Sequence, residues 1–245
     1  MIEVRDMVID FGGGPVLDKI SFTVNEGETA VVLGKNGSGK SVLLKTLIGL
    51  ISPTSGTVSV GGISPKKMLY GSERPFEMGY VFQKGGLFDS QNVFDNVAFP
   101  LRRRKMPERE IETAVLSVIE RVGLAGSEMK FPSELSGGMQ KRVGLARAVC
   151  TNPSIVLYDD PTAGLDPVLS DSIAELMLSL RTGNRVTSLV VTHDLKVAEK
   201  IADTVLLIYG GKIVFSGTST DFFSRSSDYA RQFCEGEIEG PMDIY

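Results

Sequence analysis

The stretch Thr29–Leu50, TAVVLGKNGSGKSVLLKTLIGL, changes its hydrophobic pattern in the middle. Its first part is a continuous apolar run, which is typical of a strand buried on both faces of a parallel sheet. From Lys40 onward the apolar residues recur at helical spacing, and a glycine-rich segment separates the two patterns. The stretch therefore predicts a strand, a tight loop and a helix, in that order.

The loop itself, Gly34–Ser41, matches the pattern GxxxxGK[ST] without a gap. Its glycines allow main-chain N–H groups to close around phosphates, Lys40 can reach the β and γ oxygens, and the Ser41 hydroxyl can bind Mg²⁺. Because the loop joins a strand to a helix, as this chemistry requires, it predicts a nucleoside triphosphate site. The residues assigned to the site are Gly34, Asn36, Gly37, Ser38, Gly39, Lys40 and Ser41.

The rest of the chain predicts an α/β fold. The N-terminal third contains short β-branched runs separated by Gly, Asn or Asp, which favours an antiparallel layer. The C-terminal half alternates apolar runs with helical segments, the pattern of parallel βαβ units. The predicted strands are 2–4, 7–11, 21–24, 30–33, 154–158, 188–192 and 204–209, and the later helices are 108–122, 136–150, 167–180 and 195–202.

Composition and charge limit the classes of partner. The net charge of −4 and the pI near 5.2 give no general attraction to nucleic acid, and the one dense basic run is Arg102–Lys105. That run is typical of a solvated loop or helix start, with contact to anionic lipid as the alternative. Cys150 and Cys234 have no metal-like spacing, which favours a reducing cytoplasm. We expect a soluble protein that acts at a membrane only through a partner.

A second anion site is predicted at Leu135–Gln140, LSGGMQ, where two glycines begin a helix. The alternative is an ordinary helix start with Ser136 as the N-cap. Two successive glycines at that point cost about 1 kcal/mol each, which favours the anion site. One nucleotide cannot easily use both phosphate sites, so a second copy of the chain is expected to supply one of them.

The single histidine, His193, follows the apolar run 188–192. A lone histidine is usually a structural or surface residue. The C-terminal end of a parallel strand is, however, where such sheets bind ligands, so His193 is a candidate for function.

Four motifs together resemble the nucleotide-binding subunits of ATP-binding cassette (ABC) transporters. They are GKNGSGKS, LSGGMQKR, IVLYDDPTAGLDP and VVTHD, in that order and spacing, and the resemblance covers essentially the whole chain. It implies a P-loop NTPase (RecA-like) core with an N-terminal antiparallel β layer and an α-helical ABC subdomain. The implied division is a core of residues 1–87 and 152–225, a helical subdomain of residues 88–151 and a C-terminal tail of residues 226–245.

The resemblance also implies a site in which two copies enclose two ATP molecules with Mg²⁺. By this resemblance Phe11 stacks on adenine, Gln83 contacts Mg²⁺ and the attacking water, and Asp159 holds Mg²⁺ through water. His193 contacts the γ-phosphate bound by its own copy. The γ-phosphate is also contacted by the LSGG segment of the opposite copy, through Ser136, Gly137 and Gly138. Asp166 lies in the GLD segment, which links the two sites.

The chain departs from the family pattern at Asp160, where the usual residue is a glutamate that acts as general base or positions water. One methylene fewer withdraws the carboxylate by roughly 1.5 Å, and a misplacement of about 1 Å can cost ~10²-fold in rate. We expect nucleotide binding to survive and hydrolysis to be slow. Compensation by the backbone or a water, and deliberate replacement to slow turnover, are the alternatives.

A narrower resemblance is to the ATPase subunits of Mla-type phospholipid transport systems. It rests on FQKGGLFDSQNVFDNVAFPLR and on the ending YARQFCEGEIEGPM. It implies a peripheral protein at the cytoplasmic face of a bacterial inner membrane. The implied partners are a membrane permease, a second copy, indirectly an MCE-type lipid-binding protein, and a small regulatory subunit.

Other readings stay open. The chain could serve another small-molecule transporter, or be a soluble ABC ATPase that acts on DNA or ribosomes, although it has neither a long insertion nor two cassettes. An ATP-dependent scaffold with negligible hydrolysis draws its support from Asp160 alone. The apolar tail residues predict binding to a neighbouring subunit, with packing on their own domain as the alternative; they are Phe233, Ile238, Met242 and Tyr245.

Overall fold

The computed structural model describes residues 1–70 and 76–243, and for residues 182–184 only the main chain. The chain forms two compact units. The first contains Met1–Pro75 and Thr187–Tyr245, and the second contains Phe76–Val186.

An antiparallel layer of three strands opens the first unit. Strand β1 (Ile2–Asp10) lies between β2 (Pro15–Val24) and β4 (Ser55–Val60). The two short runs predicted at the N-terminus are one strand, because a bulge with Asp6 at φ 45° carries the pairing with β2 across the polar interruption. The antiparallel layer is confirmed, but β4 was not among the predicted strands.

The parallel sheet of the first unit is centred on β3 (Thr29–Gly34). All six residues of β3 are buried, as its continuous apolar pattern predicts. Strands β7 (Thr187–Val191) and β8 (Thr204–Tyr209) pair with it in parallel, and β9 (Lys212–Thr218) adds to β8 in antiparallel orientation. The helices of this unit are α1 (Lys40–Leu47), α2 (Pro65–Tyr70), α7 (Leu195–Ile201), α8 (Ser219–Phe223) and α9 (Asp228–Glu235).

The second unit combines a parallel strand pair with four helices. Strand β5 (Met78–Val81) pairs with β6 (Ile155–Asp159), the strand that carries the carboxylates. The helices are α3 (Val93–Arg103), α4 (Glu108–Arg121), α5 (Gly137–Val149) and α6 (Pro167–Asn184). Helices α3, α4 and α5 pack on one another, and α4 buries the apolar residues whose spacing predicted it.

The described part of the C-terminal tail packs on its own unit. The Gln232 side chain on α9 makes two hydrogen bonds to the main chain of Met242. It accepts from the Met242 N–H at 2.7 Å and donates to the Met242 carbonyl at 2.9 Å. Met242 is only 4% exposed. The described tail thus packs on its own unit, which was the alternative to binding a neighbouring subunit. Tyr245 lies outside the described residues.

No helix within residues 1–70 and 76–243 is long and apolar enough to cross a membrane. The second compact unit contains β5 and β6 together with helices α3 to α6. Its boundaries differ from those of the predicted core, helical subdomain and tail, which end at residues 87, 151 and 225. The predicted division into these three parts stays a prediction.

Candidate functional site

The glycine-rich loop has the main-chain shape that its sequence predicts. Gly34, Gly37 and Gly39 have φ values of 152°, 81° and 98°, in a region that favours glycine. A Cβ atom on Gly34 would lie 2.4 Å from the Ile208 carbonyl oxygen, and one on Gly39 would lie 2.6 Å from Leu17 Cδ2. The fold itself therefore favours glycine at both positions.

The start of helix α1 presents donors to this loop. Gly39 is the N-cap, and among the described residues no side chain caps the first turn. The main-chain N–H groups there, and the positive end of the helix dipole, suit an anion. The Lys40 ammonium donates to the carbonyls of Gly34 and Lys35, both at 2.7 Å. Ser38 Oγ is buried and has no hydrogen-bond partner in the described part of the chain.

Two further candidates of the first unit are exposed. Phe11 follows β1, and its side chain is 64% exposed, which leaves an aromatic face available for stacking. His193 is exposed at the C-terminal end of β7, next to Asp194, whose carboxylate caps helix α7. These positions agree with the predicted contacts to adenine and phosphate, which stay predictions.

The second unit carries the paired carboxylates at the end of β6. Asp159 is the last strand residue, and Tyr80 on β5 donates its hydroxyl to Asp159 Oδ2 at 3.1 Å. Burial and the nearby Asp159 charge both raise the pKa of Tyr80 above its ordinary value, so the phenol stays a donor. Tyr80 was not among the predicted site residues, because β5 was not predicted as a strand and its pairing with β6 is set by the fold.

Asp160 follows directly and has an unusual main chain. It is 8% exposed and has φ 48°, in the left-handed region that is uncommon for residues other than glycine but tolerated by Asp. Gln83 Nε2 donates to Asp160 Oδ2 over a long 3.5 Å. The structure thus brings together Gln83 and Asp160, two predicted catalytic residues that are 77 positions apart in the chain.

Lys141 also belongs to this cluster, although it was not among the predicted site residues. Its side chain is 9% exposed, and its ammonium donates to the Gln83 carbonyl. Burial lowers the pKa of Lys141, and the Asp160 charge acts in the opposite direction. A lysine within LSGGMQKR has no local signal that distinguishes it from a solvated helical residue, because its partner is distant in sequence.

The LSGG segment is a helix start capped by its own serine, and the anion site predicted there stays a prediction. Ser136 is the N-cap of α5, and its hydroxyl accepts from the Met139 main-chain N at 3.3 Å. Gly137 is exposed, and a Cβ there would have nothing within 4 Å. A Cβ on Gly138 would lie 3.3 Å from Leu169. Packing against Leu169 therefore explains a glycine at position 138, a reason that the sequence does not reveal. The fold gives no such reason for Gly137.

Asp166 begins helix α6. Its carboxylate accepts from the main-chain N of Val168 and Leu169, at 2.9 and 3.0 Å, and so caps the helix. This capping role accounts for an aspartate at the position without a nucleotide. The predicted link between two sites stays a prediction.

The donor set fits magnesium. Mg²⁺ prefers hydroxyl, carboxylate and carbonyl oxygens and usually keeps several waters while bound to few protein groups. Ser41, Gln83 and Asp159 offer such oxygens. Within residues 1–70 and 76–243 no group of three or more His, Cys, Asp or Glu side chains could hold a metal alone. The assignment of Mg²⁺ to these three residues stays a prediction.

A buried parallel strand that runs through GKNGSGKS into a helix defines the protein class as a P-loop nucleotide-binding protein. The family model described as ABC transporter matches residues 17–163, more than half of the 245 residues. The chain belongs to this family and is an ABC transporter ATPase subunit that binds ATP.

Two curated relatives match almost the whole chain. The probable ribonucleotide transport ATP-binding protein mkl of Mycobacterium tuberculosis is 39% identical over 99% of this chain and 68% of its own length. The intermembrane phospholipid transport system ATP-binding protein MlaF of Haemophilus influenzae is 35% identical over 99% of this chain and 93% of its own length.

Solved structures support the fold. CbiO1 from Clostridium perfringens, part of the ABC transporter complex cbiONQ, has a TM-score of 0.83 at 27% identity and covers 94% of this chain and 93% of its own. The ATP-binding cassette MJ0796, solved as a dimer in a post-hydrolysis state with ADP and Pi, has a TM-score of 0.78 at 28% identity. It covers 89% of this chain and 99% of its own.

Proposed function

We propose that the chain hydrolyses MgATP to drive a membrane permease that moves phospholipid. Lys40 and the N–H groups of Gly34–Ser41 bind the β- and γ-phosphates, and Phe11 stacks on the adenine. His193 contacts the γ-phosphate. Ser41, Gln83 and Asp159 hold Mg²⁺, which neutralises phosphate charge when it is bound.

Asp160 is proposed as the general base. Its carboxylate accepts the proton of a water that Gln83 orients, and that water attacks the γ-phosphoryl group. The 3.5 Å contact between the Gln83 amide and Asp160 supports their common role. We expect turnover to be slow, because the aspartate is one methylene shorter than the usual glutamate.

We further propose that two copies act together, with Ser136, Gly137 and Gly138 of one contacting the γ-phosphate bound by the other. Gly137 supports this arrangement, because its open surroundings give no reason within the chain for a glycine. Asp166 lies in the segment that would link the two sites. The dimeric state of MJ0796 agrees with this proposal.

A permease partner is supported by the surface of the second unit. Phe82, Phe88 and Phe99 expose between 38% and 47% of their surface, and the rings of Phe88 and Phe99 are 4.8 Å apart. Exposed aromatic residues in contact with one another are typical of protein interfaces. Membership of CbiO1 in the cbiONQ transporter complex agrees with such a partner. We propose a peripheral position at the cytoplasmic face of a bacterial inner membrane.

The observation that carries the phospholipid assignment is the match to MlaF over 93% of that protein's length, including the tail. By analogy, an MCE-type lipid-binding protein and a small regulatory subunit would complete the assembly. The second candidate is transport of another small molecule, which the ribonucleotide transport name of mkl favours. A non-transport ATPase would need a partner other than a permease.

The test is reconstitution of the chain with the permease that co-purifies with it from native membranes. Liposomes are supplied with a fluorescent phospholipid or with a labelled ribonucleotide, and ATP-dependent movement of each is measured. The Lys40→Ala variant is the control for dependence on ATP. Movement of ribonucleotide alone would favour the second candidate, and the absence of any co-purified membrane protein would count against both transport readings.

A further inference from the structure

Helix α5 runs beside the loop that carries Gln83, and three of its residues contact that loop. Lys141 donates to the Gln83 carbonyl, and Arg147 Nη2 donates to the Gly85 carbonyl at 3.1 Å. Between them, a Cβ on Gly144 would lie 3.0 Å from the Gly85 carbonyl oxygen. These positions are three residues apart, so they lie on one face of the helix.

The contacts attach the loop to the helix along its length. Gly144 allows the two backbones to approach closely, and the Arg147 guanidinium also lies over the Phe88 ring, 5.5 Å from its centroid. Two cations and one close backbone approach therefore hold this loop on helix α5. The same helix begins at Ser136, in the proposed phosphate-binding segment.

The burial of the Lys141 side chain is unfavourable in free energy. Lys141 as a whole residue is only 9% exposed, and the cost of burying a cation is offset only by charged or hydrogen-bonded partners. Its partners are the Gln83 carbonyl and the charge of Asp160. An apolar side chain of similar length would fill the same space without that cost, so packing alone does not explain the lysine.

We propose that Lys141 is a positioning residue for ATP hydrolysis, which fixes the main chain of Gln83 to helix α5 and thereby holds the Gln83 amide beside Asp160. This inference rests on the proposed function of Gln83 and Asp160. Helix α5 thereby connects the LSGG segment, through Lys141 and Gln83, to the water that Gln83 is proposed to orient. Lys141 is five residues beyond Ser136, about 7.5 Å along the helix, so the LSGG segment and the contact to Gln83 belong to the same helix.

The test compares Lys141→Met and Lys141→Arg with the unaltered chain. Loss of the ammonium should lower kcat by about tenfold, since a misplacement of about 1 Å can cost ~10²-fold and a smaller shift of the Gln83 main chain correspondingly less. The KM for ATP and the Kd of a fluorescent ATP analogue should change less than about twofold, because the P-loop groups are untouched. Arginine retains a cation and donors, so Lys141→Arg should recover most of the rate. Lys67→Met, at an exposed position on α2, is the control.

A double-mutant cycle with Gln83→Ala distinguishes positioning from a general structural effect. If Lys141 acts through Gln83, adding Lys141→Met to Gln83→Ala should cause no further loss of kcat. Multiplicative losses, or full activity of Lys141→Met, would overturn the positioning role and leave the ATPase function standing. A fall in melting temperature without the kinetic pattern would also overturn it. Absence of turnover in the unaltered chain, alone and with its permease, would overturn the proposed function together with this inference.

Discussion

Lys40 tests the nucleotide site at the scale of one residue. Its ammonium is held by the Gly34 and Lys35 carbonyls, and it must exchange these partners for phosphate oxygens when ATP binds. Lys40→Ala removes the in-line cation but leaves the main-chain donors. We expect turnover to fall by about 10²-fold or more, measured as phosphate release, with weaker ATP binding. Lys45→Ala, on an exposed position of the same helix, is the matched control. Unchanged affinity and rate in Lys40→Ala would contradict the assignment.

The main chain of Asp160 gives a physical reason for its short side chain. At φ 48° most side chains are disfavoured, and Asp and Asn are the non-glycine residues that tolerate this region best. A glutamate here would bring its carboxylate closer to the attacking water, but it would tolerate the left-handed main-chain conformation less well than aspartate. The usual glutamate and the observed aspartate therefore balance the reach of the carboxylate against main-chain strain in different ways.

Asp160→Glu should raise kcat by one to two orders of magnitude if reach limits the reaction, the penalty expected for about 1 Å of misplacement. KM should change little, because no binding group is altered. Asp160→Asn should lower the remaining activity, since an amide cannot accept the proton of water.

Asn tolerates the same backbone region, so Asp160→Asn should keep the main-chain conformation, but loss of the charge beside the buried Lys141 should lower the melting temperature. No gain from glutamate together with loss from asparagine would mean that the aspartate is already a competent base. If neither substitution changes the rate, Asp160 is not the base, and His193 with Gln83 would have to position the water.

At the scale of elements, helix α5 tests whether sites are shared between two copies. Gly137→Asp adds a negative charge in open space at the helix start, where it should fold without strain and repel the γ-phosphate held by a partner. We expect lower hydrolysis with unchanged nucleotide binding by the monomer. Gly137→Asn, of the same shape but neutral, is the matched control.

Sedimentation with and without MgATP gives the second readout for α5. ATP should favour the dimer, and Gly137→Asp should weaken this effect. Full activity of Gly137→Asp together with no ATP-linked association would contradict shared sites. A substitution at Gly138 could not be interpreted in this way, because its Cβ would press on Leu169.

At the scale of the whole molecule, the tail can stabilise its own unit or bind a neighbour. Besides the Gln232 contacts, the Asp243 carbonyl accepts from Lys35 Nζ at 2.8 Å and from the Tyr209 hydroxyl at 2.9 Å. Lys35 belongs to the P-loop, so the tail reaches the loop within the same unit. These contacts favour packing on its own unit.

Truncation after Glu235 should therefore lower the melting temperature of the isolated subunit. Burial of Met242 contributes about 1.5–3 kcal/mol, and 1 kcal/mol shifts the melting temperature by roughly 2–4 °C at this chain length. Ile238→Ala, at an exposed tail position, should leave it unchanged. Weaker assembly with an unaltered melting temperature would instead indicate that the tail binds a neighbouring subunit.

The sequence by itself determined the features whose causes are local. The P-loop conformation follows from glycines at fixed spacing, strand β3 follows from a continuous apolar run, and helices α4 and α5 follow from their spacing and from the Ser136 cap. The family also followed from these motifs, because each is a short segment whose chemistry depends on its own residues.

Only the tertiary structure decided the features that depend on distant partners. Strand β1 continues through Asp6 because β2 pairs with it on both sides of the bulge. Tyr80 meets Asp159 across 79 residues, and Lys141 meets the Gln83 carbonyl across 58. Such contacts are set by strand register and by helix packing, and no local pattern encodes them. The sequence could therefore predict the carboxylates and Gln83, whereas Tyr80 and Lys141, which contact Asp159 and the Gln83 carbonyl, emerged only from the fold.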